Sequence, residues 1–186
     1  MKLIETALPD VMVIEPDVFA DERGYFLETY RAARYVEAGI TGTFVQDNLS
    51  YSKHGVLRGL HLQNPRAQTK LVYVPSGEIF DVAVDVRRGS PSFGRWVGIR
   101  LSSDNRHQLY IPAGFAHGFC VLSDWAHVIY KCTDVYDPAA EVSVLWNDPD
   151  IGIDWPVRDS RLSPKDGAAP SLKDIDPLRL PAYDGD

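Results

Sequence analysis

Residues 77–86 read GEIFDVAVDV. Phe80, Val82, Val84 and Val86 share one parity, and Ile79, Asp81, Ala83 and Asp85 share the other. A period of two marks a β-strand. Runs of the same kind lie upstream at VMVIEP (11–16), YFLETY (25–30), TFVQDNLSY (43–51) and KLVYVPS (70–76). Others lie downstream at RWVGIRLS (95–102), HQLYIP (107–112) and HVIYKCTDVY (127–136). Turn-forming residues separate them at Asp21–Gly24, Pro75–Gly77, Arg88–Pro91, Ser102–Asn105 and Pro112–Gly114. Many short strands at even spacing predict a mainly β protein, an antiparallel sandwich or barrel. One helix is expected at RAARYVEAG (31–39), stopped by Gly39. A second is expected to begin at Ser163, where Ser163-Pro-Lys-Asp places an N-cap before a helical first turn.

The chain has 186 residues, which suits one domain with a single core. We expect that domain to run over 1–186, with 167–186 a surface C-terminal tail that its leucines can dock. The formal charge of −7 argues against binding nucleic-acid backbones or anionic membranes. A small anionic ligand needs only a local basic cluster. No apolar run approaches the roughly 20 residues that cross a bilayer. MKLIETALPD interrupts any apolar start with Glu5 and Pro9, so no export signal is read there. Cys120 and Cys132 do not make a disulfide framework; we expect both reduced, in a cytoplasmic protein.

The densest polar stretch is QDNLSYSKHGVLRGLH (46–61). Gln, Asn, Arg and His on a strand are costly to bury unless they meet partners or a ligand. Gln46 and Asn48 share parity, whereas Arg58 and His61 do not; a bulge at Gly59 would bring the latter two together. A solvated strand edge remains the alternative. In IPAGFAHGF (111–119) a Pro-Gly turn leads into a strand carrying His117. A metal site here would need an earlier pair of histidines, but His61 is followed by Leu62 and Gln63, and the Lys70 ammonium would repel a cation. We therefore assign no metal. HVIYKCTDVY puts Tyr130, Cys132, Asp134 and Tyr136 on one face, to line a pocket or pack on another sheet. DERGYFLETY (21–30) carries Arg23, Phe26 and Glu28, which by themselves read as an exposed charged hairpin. His54, His107 and His127 read as surface or structural, and Cys120 as a small buried hydrophobe.

DERGYFLETY, FVQDNLSYSKHGVLRGLHLQ, KLVYVPSGEIFDVAVDVRRGSPSFGRWVG, YIPAGFAHGF, YKCTDVYDP, WNDP and LSPKD, in this order, resemble the dTDP-4-dehydrorhamnose 3,5-epimerase family. The resemblance runs from about Val11 to Asp166. It implies a cupin-type β-barrel or jelly roll, a homodimer, and neither metal nor cofactor. It implies a general base at His61, an orienting carboxylate at Asp166, a phenolic acid at Tyr130 and a lysine beside the sugar ketone at Lys70. Arg58, His117 and Lys165 match positions lining the sugar and phosphates. Arg23, Phe26, Glu28, Gln46, Asn48 and Glu141 match further substrate-binding positions, with the Arg23–Glu28 segment reaching the partner subunit's site. Tyr136 matches the ring that stacks on thymine. Leu62, often aromatic in relatives, raises the question of pocket shape and of a single-carbon epimerase as an alternative.

These residue types suit the implied reaction. Hydrogens flanking a ketone are removed to give an enolate, and inversion requires proton return from the opposite face. Imidazole is a base near neutral pH, a carboxylate steadies its imidazolium, and a phenol can protonate a strongly basic carbon. An ammonium stabilises the enolate oxygen.

Overall fold

A computed structural model describes residues 1–183 and 185 of the chain. The described residues form β1 (Lys2–Glu5), β2 (Met12–Glu15), β3 (Val18–Asp21), β4 (Gly24–Leu27), β5 (Gln46–Lys53), β6 (Leu57–Gln63), β7 (Lys70–Ser76), β8 (Glu78–Asp85), β9 (Trp96–Ser102), β10 (Gln108–Ile111), β11 (Phe115–Val121), β12 (Trp125–Cys132) and β13 (Glu141–Ser143). Two short helices, α1 (Ala32–Glu37) and α2 (Pro164–Gly167), accompany them. The strands build a six-stranded sheet in the order β1-β2-β10-β7-β12-β5 and a five-stranded sheet in the order β13-β6-β11-β8-β9. β3 and β4 form a separate hairpin. All pairings between these strands are antiparallel, as the strand pattern predicts.

The alternation in residues 77–86 sorts two cores. Ile79 and Ala83 of β8 join Val72, Val74, Phe119 and Val128 in the core between the large sheets. The other parity, Phe80, Val82, Val84 and Val86, meets Val142, Val144, Ile151, Leu172, Ile175 and Leu180 on the outer face of the five-stranded sheet. Both faces of β8 are thus covered, and Asp81 and Asp85 on the interior parity are fully buried. A buried carboxylate needs partners. Asp85 takes Arg87, Ser90 and Ser92 at 2.8, 2.6 and 2.7 Å. Asp81 takes His117 at 2.7 Å.

The segment after α2 is a strap over that outer core. Leu172, Ile175 and Leu180 are buried, each burial contributing about 1.5–3 kcal/mol. The Leu172 amide donates to Asp148 Oδ2 (2.7 Å), and the Tyr183 amide donates to the Arg88 carbonyl (2.9 Å). Asp184 and Asp186, the remaining residues of the predicted tail, lie outside the described residues. On the opposite side, α1 packs Tyr35 with Ile40 against Ile14 and Leu71 of the six-stranded sheet. Gly39, at φ +85°, follows α1 as its sequence position predicts.

One expectation needs correction. The alternation of 127–136 continues past the strand, for β12 ends at Cys132. There Asp134 accepts from the Val135 amide (2.7 Å), a local bond that competes with a ladder, and pairs with Arg66 at 2.8 Å. Asp134 therefore leaves the face that carries Tyr130 and Cys132.

Candidate active site

The interior of the barrel changes character along its strands. On β7, Lys70 shares parity with the core residues Val72 and Val74. On β12, Tyr130 and Cys132 follow Ala126 and Val128. The polar end opens as a cleft with two lobes. One, of about 330 Å³, is bordered by Gln46, Asn48, Gln63, Tyr136 and Glu141. The other, of about 550 Å³, is bordered by Arg58, His117, Arg161, Ser163, Lys165 and Asp166. His61, Lys70 and Tyr130 border both lobes.

A bulge in β6 sets this arrangement. His61 pairs with His117 and Arg58 with Phe119, so β6 carries one extra residue over that span. Gly59 sits there at φ +115°, and a Cβ would approach the His117 carbonyl oxygen and Gly118 Cα to 2.6 Å. Only glycine fits so close an approach. The bulge puts Arg58 and His61 in one lobe, the outcome that Gly59 left open to them.

α2 delivers the carboxylate. Ser163 caps it by accepting the Asp166 amide (3.1 Å), with Pro164 in the first turn. Asp166, 3% exposed, places Oδ1 2.6 Å from His61 Nε2. Burial works to raise the Asp166 carboxyl, but the bond and charge of His61, then Ser163 and the Gly59 backbone, outweigh it and hold it below its ordinary value. With Nε2 committed, the other ring nitrogen of His61 is left to take a proton.

Lys70 is buried, with Nζ 3.4 Å from the His61 carbonyl. Burial pushes its pKa down, opposed by Cys132, Asp81 and Glu141. Burial pushes the Tyr130 phenol up, so the group holds its proton through neutral pH. His117 is pushed down by burial despite Asp81, which favours a neutral imidazole. Asp81 is a residue that sequence reasoning passed over as a site residue. Its signal was a carboxylate on the interior parity of GEIFDVAVDV.

At the first lobe, Gln46 Nε2 donates to Asn48 Oδ1 (2.9 Å), confirming their shared face. Gln46 Oε1 accepts from the Tyr136 amide (2.9 Å), and the Tyr136 hydroxyl donates to Glu141 Oε2 (3.0 Å). Lys165 Nζ lies 2.6 Å from the same oxygen. Against burial, Lys165, Tyr136 and His61 hold the Glu141 carboxyl low. Tyr136 reaches the cleft from the loop beyond β12 rather than from a continued strand. Leu62 touches the cleft but packs in the outer core, where it pairs with Val142.

Three predicted site residues stand apart from this cleft. Arg23, Phe26 and Glu28 lie on or beside the β3–β4 hairpin, and none borders the two lobes of its own chain. Arg23 pairs with Asp21, Glu28 pairs with Arg31 and Arg34, and Phe26 is 69% exposed. Among the described residues, no group of three or more His, Cys, Asp or Glu is placed to hold a metal ion.

The model of the dTDP-4-dehydrorhamnose 3,5-epimerase family matches residues 5–174. A Pseudomonas aeruginosa protein of that name is 54% identical over 178 residues, covering 95% of this chain and 98% of its own. A Neisseria gonorrhoeae protein of the same name is 58% identical over 167 residues, 89% of this chain; the match spans about half (51%) of that relative's length. Among solved structures, a Legionella pneumophila dTDP-6-deoxy-D-glucose-3,5-epimerase in complex with dTDP-4-keto-L-rhamnose superposes with a TM-score of 0.97. It is 53% identical and covers 99% of both chains.

Proposed function

This chain belongs to the dTDP-4-dehydrorhamnose 3,5-epimerase family, and we propose that its cleft inverts C3 and C5 of dTDP-4-dehydro-6-deoxy-D-glucose to give dTDP-4-dehydro-L-rhamnose. The observation that carries this reading is that His61, Lys70 and Tyr130 all border both lobes of one cleft. A base, an acid and a charge for the ketone oxygen are the groups that epimerisation beside a carbonyl requires.

His61 takes the proton on carbon, and Asp166 holds the ring in place and steadies the imidazolium. The electron pair moves onto the carbonyl oxygen beside the Lys70 ammonium, in a site where burial strengthens the attraction. Tyr130 protonates the carbon from the other face; His61 then gives its proton to solvent, and solvent restores the proton of Tyr130. Repeating the cycle at the second carbon flanking the ketone completes the double inversion. No net oxidation occurs, so the chemistry calls for no redox cofactor, and Lys70 supplies the charge that a metal would. Arg58 and Lys165 offset the diphosphate, His117 meets the sugar, and Gln46, Asn48 and Glu141 hold the nucleotide end, where Tyr136 stacks on thymine.

The β3–β4 hairpin supports a homodimer. Its two strands have four residues each, and Phe19, Tyr25 and Phe26 are 64%, 52% and 69% exposed. An isolated two-stranded hairpin is marginal in water, and exposed aromatics favour a covering surface. In this reading the hairpin docks on a second copy and brings Arg23, Phe26 and Glu28 to that copy's cleft. Among the described residues no helix is long and apolar enough to cross a membrane. A cytoplasmic location suits a nucleotide-sugar substrate and the two free thiols.

Incubation with the 4-keto sugar nucleotide in heavy water tests the reaction. NMR should show deuterium at both C3 and C5 of the product. Label at one carbon only would make this a single-carbon epimerase, and label at neither would overturn the proposal.

A further inference from the structure

Tyr136 is 52% exposed, so packing does not hold its ring; hydrogen bonds must. The carbonyl that precedes it and the amide that follows it lead to one side chain. Gln63 Nε2 donates to the Val135 carbonyl (3.3 Å) and to the Arg66 carbonyl (3.0 Å). Gln63 Oε1 accepts from the Asp137 amide (2.9 Å). Gln63 is 4% exposed and lies two residues past His61 at the end of β6. Both Nε2 hydrogens are spent on backbone, which leaves no donor for a ligand.

We propose that Gln63 is a positioning residue for the nucleotide, setting the tilt and height of the Tyr136 ring through the peptides that flank it. This rests on the reading of Tyr136 as the stacking ring. The loops at 64–69 and 133–137 have other ties: Arg66 to Asp134 (2.8 Å), Gln68 Nε2 to the Asp134 carbonyl (2.8 Å), and the Thr69 amide to Thr133 Oγ1 (2.9 Å). They keep the wall of the cleft assembled when Gln63 is replaced. Tyr136 itself is also tied, its amide to Gln46 Oε1 and its hydroxyl to Glu141 Oε2; what Gln63 adds is the hold on the peptides that flank it, at the Val135 carbonyl and the Asp137 amide.

The test is a double-mutant cycle read by calorimetric titration with dTDP, alongside steady-state kinetics. Gln63→Leu should weaken dTDP binding about tenfold, the loss expected when a stacking ring is misplaced, and the kinetic loss should fall on KM rather than kcat. Gln63→Asn, which keeps the amide group but shortens its reach, should show a smaller loss in the same direction. It carries the test if the leucine variant melts early. In a Tyr136→Ala background, replacing Gln63 should cost no further affinity, because the ring through which it acts is gone. Wild-type dTDP affinity in both Gln63 variants, or losses that multiply in the double variant, would overturn the proposal. Unchanged dTDP binding in Tyr136→Ala alone would overturn the stacking reading and this inference with it.

Discussion

One end of the barrel interior is filled by Val72, Val74, Leu109, Ala126 and Val128, while the other turns Lys70, His61, His117 and Tyr130 inward. The same strands build both ends, and on β7 the change from ammonium to valine takes two residues. The filled end gains stability from apolar burial. The open end forgoes it: Lys70 lies buried against a single backbone carbonyl at 3.4 Å, and Asp81 Oδ2 is buried without a partner among the described residues. Buried charge left partly unpaired is costly, and natural folds concentrate such cost where chemistry is done. Substitutions at the two ends should therefore move stability and turnover in different combinations.

The largest effect should come from His61→Asn. Loss of the base should lower turnover by about 10²–10⁴-fold while the melting temperature stays near wild type. Turnover retained within tenfold would remove His61 from the role given to it. Lys70→Met, close in shape but uncharged, should cost about 10²–10³-fold in kcat. It should also raise the melting temperature, since it relieves a buried charge. A variant that is both inactive and less stable would break the contrast between the ends. Leu109→Ala is the mirror case: a loss of about 2–5 kcal/mol in unfolding free energy, with kcat preserved well below the melting temperature.

The smallest effect is in pH. The folded pKa of Lys70 lies below its unfolded value, so the folded protein sheds this proton first as pH rises. Between the two values the unfolded chain binds more protons, and this group's contribution to stability rises with pH. Turnover should fall over the same window, as the enolate oxygen loses its cation. Denaturant unfolding and kcat measured across alkaline pH, with Lys70→Met as the subtraction, should show stability and activity moving in opposite directions. A Lys70-dependent stability that fell with pH would reverse the assigned shift.

Much of this contrast can be read along the chain, and some of it cannot. The alternation of 77–86, the glycine needed at position 59, the stop at Gly39 and the cap at Ser163 are local signals, and the structure follows each of them. β1 (KLIE) and β3 (VFAD) set their apolar residues side by side rather than in alternation, and β13 (EVS) has only three residues, so no period of two stands out. The end of β12 depends on the partnership of Asp134 with Arg66, and no alternation reports that. The strap carries its buried residues at 172, 175 and 180 on irregular turns, so it reads as a tail until its amides meet Asp148 and Arg88. His61 and Asp166 are 105 residues apart, and no spacing rule joins them; the resemblance of LSPKD to a family motif did. Gln63 and Asp81 went unassigned because each acts through other groups: one through backbone, the other through His117.

The central claim is that an imidazole and a phenol work on opposite faces of one ring. Tyr130→Phe, incubated with substrate in heavy water and followed by NMR, tests it most directly. The account predicts that deuterium still enters beside the ketone, through His61, but with the starting configuration retained. Inverted, labelled product at the wild-type rate would contradict it.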